Sequence, residues 1–390
     1  MSASPPVRAL LLPAATLGLF LAASSAPTPL YRLYQQAWGF SPSLLTLVFS
    51  VYAFSLLVAL LTTGALSDHL GRRPVILAAL VLEMASMAVF ARADSVAWLM
   101  LARIVQGFAT GIAGSALGAA LLDVHHERGA LVNTLAPMLG MALGVMGVTG
   151  WMALHHGTAA TVFWTLLALF ALLAVGVWRM RESAPRRPGA WASLRPRVRV
   201  PPPAREAFVR TAPMSMAVWA LGGFYMSLGP SLLADVTGLA GLGGWTVCIN
   251  TLSAAAGILL LRRRSARFLL RAGAVGLVAG LAILLVGTHL AHTPALLLAS
   301  VVAGMGFGVG FQGALRMVMP LAEPHERGSL LAAVYVLSYL ALSLPAIGAG
   351  LLAQRLGLVP ATDVYGAGLI GLALMALAST ARPLARRAGA

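Results

Sequence analysis

The sequence predicts an all-α membrane protein of twelve transmembrane helices in two pseudo-symmetric six-helix halves. Three observations carry that reading. First, 59% of the 390 residues are hydrophobic and only 10% are charged, with a mean hydropathy of +0.87. A soluble domain carries about 25% charged residues. Second, the apolar residues fall in runs of spanning length, since a helix crossing a bilayer needs ~20 of them. Third, the chain repeats itself: His126-Glu127-Arg128-Gly129 returns as His325-Glu326-Arg327-Gly328, 199 residues later.

In chain order the spans read as 9–30, 43–66, 74–92, 96–120, 131–154, 158–178, 212–234, 240–261, 267–288, 294–318, 329–352 and 362–381. The first resembles a secretory signal, with Arg8, an apolar stretch and small residues at 22–26. Eleven further spans, with Pro27 and Pro29 crowding the would-be cleavage site, favour a retained helix. Most connections are short, as in compact helical bundles. The exception is 179–211, rich in Pro and Arg, which cannot span, has little to pack and reads as a cytoplasmic linker. It divides an amino-terminal bundle, 1–178, from a carboxy-terminal bundle, 212–390.

The repeat extends beyond one tetrapeptide. Leu101-Ala102-Arg103-Ile104-Val105-Gln106-Gly107 aligns with Leu298-Ala299-Ser300-Val301-Val302-Ala303-Gly304, and Gly111 aligns with Gly308. Pro27 and Pro230 also fall at similar places in the first and seventh spans. The loop after the eighth span, Gly257 to Arg264, keeps basic charge but has no acid where the first half has Asp68.

A net charge of +16 would suggest nucleic acid in a soluble protein. Mapping the charges removes that reading. Every basic residue is arginine; twenty-two fall on one side of the spans, and only Arg32, Arg92 and Arg355 on the other. This is the positive-inside bias, and it predicts both termini in the cytoplasm of a bacterial-type inner membrane. The basic face meets anionic lipid headgroups, so the expected partners are the bilayer and a small-molecule substrate, with no nucleic acid and a monomeric chain. The lone cysteine, Cys248, lies in an apolar run and offers neither an intrachain disulfide nor a Cys-based metal site.

Between the second and third spans stands Gly64-Ala65-Leu66-Ser67-Asp68-His69-Leu70-Gly71-Arg72-Arg73. Glycines at both ends suit a turn whose backbone leaves the helix, and Asp68 can neutralise Arg72 and Arg73 locally. This stretch resembles the signature loop of the major facilitator superfamily of secondary transporters. The resemblance implies two parallel six-helix halves about an axis along the membrane normal, with a substrate site at the midplane between them. It also implies that the loop is a cytoplasmic gate, which Asp123, at the end of the fourth span, would join. The amino end of the eleventh span carries a positive dipole that could attract Asp68. The competing reading is a static topology anchor.

Arg103 lies six residues, ~9 Å, inside the outer end of the fourth span. A charge at that depth normally faces protein or a water-filled cavity. Arg103-x-x-Gln106-Gly107-x-x-x-Gly111 resembles a fourth-helix motif of proton-coupled antiporters in the same superfamily, whose arginine is thought to influence the proton site. The alternative is an arginine snorkelling to the interface. Gly107, Gly111, Gly114 and Gly118 would allow close helix packing. Glu83 is the one acid near a span centre, ~13 Å past Pro74, and is the candidate proton carrier. It either serves the cavity or faces lipid or a neighbouring helix. Asp235 is a weaker candidate. The drug/proton antiporter branch also shows Gly-Pro near the end of the fifth span; here Val145 replaces that proline, among Gly140, Gly144, Gly147 and Gly150, whose face could pack against the eighth span.

Small-molecule cavities are apolar and aromatic with a few polar groups. On that basis Ser25, Thr28, Asn133, Tyr225, Asn250, Gln312, Tyr335 and Tyr339 join Arg103 and Gln106 as cavity candidates, each with helix-packing glue as its alternative. Arg316 reads as a cytoplasmic-side anchor. The pairs His125-His126, His155-His156 and His289/His292 lack carboxylate or cysteine partners at ligand spacing in sequence, so no metal is expected. No phosphate-binding loop or nucleophile elbow appears, which disfavours ATP-driven transport and enzymatic activity. The expected function is secondary transport of a small organic solute by alternating access, as proton-coupled efflux with the proton gradient in place of a cofactor. An importer or uniporter of a polar metabolite, and a non-transporting sensor of the same fold, are the rivals.

Overall fold

The computed structural model describes residues 8–154, 158–239 and 241–380. The histidine pair His155-His156 and the arginines Arg382, Arg386 and Arg387 lie outside them. Among the described residues every regular element is helical. Among the described residues eleven helices are long and apolar enough to cross a membrane, or twelve if one bent pair counts as a span.

The chain divides into two compact units, 1–196 and 197–390. Unit 1 contains α1 (Arg8–Ser25), α2 (Pro27–Trp38), α3 (Pro42–Thr63), α4 (Leu66–Leu70), α5 (Arg72–Ala91), α6 (Val96–Val124), α7 (His126–Leu154), α8 (Ala159–Trp178) and the short α9 (Ala190–Ser193). Unit 2 contains α10 (Arg205–Met226), α11 (Gly229–Thr237), α12 (Leu242–Leu261), α13 (Ala266–His289), α14 (Thr293–Val318), α15 (Arg327–Leu356) and α16 (Leu358–Ser379). Helix α10 begins inside the segment read as linker, after a tight turn at Pro202–Ala204.

The internal repeat is a packing repeat. In unit 1, α3 packs on α6, α1 on α7, and α5 on both α6 and α8. In unit 2 the same pairs recur: α12 on α14, α10 on α15, and α13 on both α14 and α16. The prolines mark equivalent breaks. The first span changes from α1 to α2 at Ala26, just before Pro27. The seventh breaks before Pro230, where α10 and α11 meet at 58°.

Glycine sets the closest approaches. A Cβ on Gly107 would collide with the Tyr52 carbonyl of α3, and one on Gly111 would meet the Leu56 carbonyl. In unit 2 a Cβ on Gly304 would collide with the Asn250 carbonyl and one on Gly308 with the Ala254 carbonyl. Tyr52 and Asn250 are therefore equivalent positions, a match the sequence does not advertise. Two sequence expectations are corrected. Gly114 meets nothing, so it is not part of the close contact. Gly140 and Gly144 lie against the backbone of Gly18 and Ala22 in α1, so these two are taken up inside unit 1.

Overpacking a tight helix contact costs about 1–3 kcal/mol. Gly107→Ala is expected to lose that much stability, while Gly114→Ala should stay within about 0.5 kcal/mol of the parent. Thermal unfolding of the purified variants in detergent checks both; equal effects would remove the argument.

Candidate functional site: a buried charge network and a charged loop

Two polar constellations stand out in unit 1. The first lies inside the bundle. The buried residues of α5 include Ile76, Ala79, Leu80, Glu83, Ser86, Met87 and Phe90, a stripe at helical spacing that presses on α6. Ser86 confirms the direction, its hydroxyl donating to the Ala102 carbonyl at 2.8 Å. Glu83 shares that face, three residues away. It is fully buried in protein and does not face lipid.

Across from it, α6 supplies Arg103 and Gln106, both at 0% exposure. Arg103 Nε donates to the Tyr31 hydroxyl at 2.8 Å. Its Nη1 donates to the Ser24 carbonyl at 2.8 Å and to Gln106 Oε1 at 2.7 Å. The Gln106 amide then donates to the Ala23 carbonyl at 3.0 Å and to Glu83 Oε1 at 3.2 Å. The guanidinium also lies over two rings, 4.9 Å from the centroid of Tyr52 and 5.6 Å from that of Tyr31. Snorkelling is therefore not what Arg103 does. The α1–α2 break helps to hold it: Ser24 lies in the last turn of one helix and Tyr31 in the next.

A buried charge persists only when paired or well hydrogen-bonded. Arg103 has three hydrogen-bond acceptors and two aromatic faces, each face being worth about 0.5–2 kcal/mol. Even so, Arg103 Nη2 and Glu83 Oε2 are buried without a hydrogen-bond partner among the described residues. The network can be written with Glu83 charged, which balances Arg103, or neutral, which leaves Arg103 as a net charge. The repeat isolates this feature. In unit 2 the equivalents of Tyr52 and Arg103 are Asn250 and Ser300, where the Asn250 amide donates to the Ser300 carbonyl at 3.4 Å and Tyr225 Oη lies 3.2 Å from Ser300 Oγ. That counterpart contains no charge.

The second constellation is the loop through α4. Arg72 Nε donates to Asp123 Oδ2 at 3.0 Å, and its Nη1 donates to Ser67 Oγ at 2.8 Å and to Asp68 Oδ1. The predicted charge cluster of Asp68, Arg72 and Asp123 is thus assembled. Gly64 closes α3 in ordinary helical geometry, whereas Gly71 has φ +97°, which disfavours any side chain. Arg73 lies over the Trp178 ring at 5.3 Å.

Sequence reading misses Glu182 here. Its carboxylate accepts the Arg72 and Arg73 backbone N–H groups at 2.7 and 3.1 Å, satisfying the open amino end of α5. Ser183 Oγ donates to Asp123 Oδ2 at 3.0 Å, Arg187 N–H donates to the His69 carbonyl at 2.8 Å, and His69 Nδ1 lies 2.9 Å from the Pro188 carbonyl. The start of the segment read as having little to pack is instead laid across the loop. A helix cap of this kind is worth about 1 kcal/mol. Glu182→Ala should lose roughly that stability and hasten tryptic cleavage after Arg186, the Arg187–Pro188 bond being resistant to trypsin; an unchanged cleavage rate would refute the strap.

The cavity candidates sort into two groups. Ser25 Oγ bonds the Ala22 and Met141 carbonyls at 3.0 Å, tying α1 to α7, and Thr28, Tyr225 and Asn250 are buried within their units. Asn133 leans on Gly118, its amide oxygen 3.2 Å from where a Cβ would stand. Gln312, Tyr335 and Tyr339 are half-buried. The two tyrosines join Trp219 and Phe311, which sequence reading passed over. The Trp219 ring lies 4.9 Å from that of Tyr339, tilted by 59°, and meets Phe311 edge-on at 5.5 Å; the Tyr335 and Tyr339 rings are 6.2 Å apart. Asp235 is exposed. His289 does have a carboxylate partner, Asp363, at 3.0 Å, brought from 74 residues away in sequence. No group of three or more metal-ligating side chains occurs among the described residues.

Comparison with known proteins places the chain. The inner membrane transport protein YajR of Escherichia coli strain K12 is 26% identical over 172 residues, 43% of this chain and 36% of that protein. The multidrug resistance protein MdtL of Klebsiella pneumoniae subsp. pneumoniae is 26% identical over 166 residues, 39% of this chain and 40% of that protein. These matches thus span less than half the length of the curated relatives. Among solved structures, a bacterial homologue of the human lysosomal transporter Spinster superposes with a TM-score of 0.78 at 12% identity, covering 96% of each chain. A variant of the nucleoside transporter NupG superposes with a TM-score of 0.75 at 14% identity, covering 95% of this chain and 99% of that one. At such identities the likeness is one of fold. The profile of the Major Facilitator Superfamily matches residues 14–346, and the chain belongs to that family.

Proposed function

We propose that this protein is a secondary transporter that exports a small organic solute in exchange for protons by alternating access. The observation that carries the reading is the chain of contacts from Glu83 through Gln106 to Arg103 inside unit 1. Coupling requires a proton to bind with different affinity in two conformations. A carboxyl buried beside a buried guanidinium meets that requirement if rearrangement of α1, α5 and α6 changes how well Gln106 and Arg103 support its charge. The loop cluster of Asp68, Arg72 and Asp123 supplies the gate, breaking and reforming as the states exchange. Gln312, Tyr335, Tyr339 and Asn133 are the candidates for substrate contact. The multidrug resistance proteins among the relatives support efflux of drug-like solutes.

The test is flux of fluorescent organic cations, ethidium first, in vesicles containing the purified protein. Uphill movement driven by an imposed pH gradient, and abolished when the gradient is collapsed, is the expected result. Dye movement that only equilibrates, with the same rate in both conditions, would favour a uniporter and end the antiport reading. A protein inert to the dye panel but active on polar metabolites would favour an importer.

A further inference from the structure

The two loops that the repeat makes equivalent are neutralised differently. In unit 1 the loop arginine Arg72 is paired by Asp68 and Asp123, while Glu182 covers the backbone. In unit 2 the loop between α12 and α13 carries Arg262, Arg263 and Arg264, and the first turn of α13 adds Arg267, all exposed. None of the four pairs with a carboxylate among the described residues. Carrying the spacing of Gly107 and Gly304 along the helices, the position of Asp123 is taken by Pro320.

The loop is nevertheless held in place. Arg316 Nη1 donates to the carbonyls of Arg262 and Arg264 at 2.7 and 3.4 Å. Ser265 Oγ accepts the Phe268 N–H at 3.3 Å and caps α13. Arg271 is tied to Thr380, its Nε donating to the hydroxyl at 2.9 Å. Two arginines therefore serve as braces, and the other four guanidinium groups are left to face outward. Beside them Leu260 and Phe268 are exposed, and the Arg264 guanidinium lies 5.4 Å from the Phe268 ring centroid. Four cations without a carboxylate partner among the described residues, next to exposed apolar side chains at the end of two membrane-length helices, match a ligand with an anionic head and an apolar body.

We propose that this loop binds the headgroup phosphate of an anionic glycerophospholipid, which takes the place of the carboxylates that neutralise the loop of unit 1. The arginine distribution assigns the loop to the cytoplasmic leaflet, where anionic lipids attract clustered basic residues. Arg262, Arg263, Arg264 and Arg267 hold the phosphate, and Leu260 and Phe268 border the acyl chains.

The test is native mass spectrometry of the purified full chain, titrated in one detergent with palmitoyl-oleoyl phosphatidylglycerol or the matching phosphatidylcholine. Phosphatidylglycerol should bind about ten-fold more tightly than phosphatidylcholine. The combined substitution Arg262→Gln, Arg263→Gln, Arg264→Gln and Arg267→Gln should remove most of that preference. The same four changed to lysine should keep most of it. Changing Arg195, Arg197 and Arg199 to glutamine, which removes charge elsewhere, should leave it intact. Single variants Arg264→Gln and Arg267→Gln, each lowering the preference about two-fold, serve if the combined variant does not fold. Excess inorganic phosphate should not displace the lipid. The proposal is overturned by an equal affinity for both lipids, by a preference that survives in the glutamine variants, by equal loss in the 195–199 control, or by displacement with inorganic phosphate, which would make this a free-anion site.

Discussion

Arg103→Met is expected to destabilise the protein by about 3–5 kcal/mol and to abolish transport, because it removes one member of a buried charged network. Three acceptors lose their donor: Tyr31 Oη, the Ser24 carbonyl and Gln106 Oε1. Gln106 then loses the contact that orients it toward Glu83. Arg103→Lys should rescue little, since one ammonium on a flexible stem cannot reproduce the planar fork that reaches these groups together. Thermal unfolding in detergent provides the stability figure. A double-mutant cycle with Glu83→Gln should show a coupling of about 0.5–3 kcal/mol although the two side chains communicate through Gln106. Additive effects would mean that Arg103 and Glu83 do not act as one network.

Asp68→Asn is expected to show the opposite balance, with transport reduced at least ten-fold and stability nearly unchanged. Asp68 is 55% exposed, and ion pairs of that kind contribute about 0–1 kcal/mol. Arg72 keeps Asp123 and Ser67 as partners in the variant. A large functional loss without a stability loss is the behaviour of a contact that must break and reform, as opposed to one that anchors topology. Dye flux and unfolding on the same preparation would read both quantities. Full activity in Asp68→Asn would eliminate the gate.

How much of this was legible beforehand follows from the physics of each signal. Spans and the repeat were readable because a bilayer imposes length and composition on every helix. The loop cluster was readable because its residues lie close in sequence or at a predictable helix end. The face of α5 was not. A helix apolar all round shows no polar side from which to infer orientation, so Glu83 toward lipid and Glu83 toward protein read alike. Small residues on its own face, Ala79 and Ser86, were the available hint. Tyr31 and Tyr52 as partners of Arg103 depend on contacts 72 and 51 positions away in sequence, which no local pattern encodes. Glu182 was hidden differently: a Pro- and Arg-rich segment looks like free linker, and only the open amino end of α5 gives its carboxylate a purpose. Of the cavity candidates, polarity within a span could not separate Ser25, spent on the Met141 carbonyl, from Gln312, whose buried Oε1 has no hydrogen-bond partner among the described residues.

The most direct measurement of the central claim is proton movement in vesicles loaded with pyranine, comparing the parent protein with Glu83→Gln on a dye that the parent transports. The account predicts that dye transport by the parent moves protons in the opposite direction, and that Glu83→Gln still exchanges dye for dye but moves no protons. Proton movement in Glu83→Gln at the parent rate would contradict it.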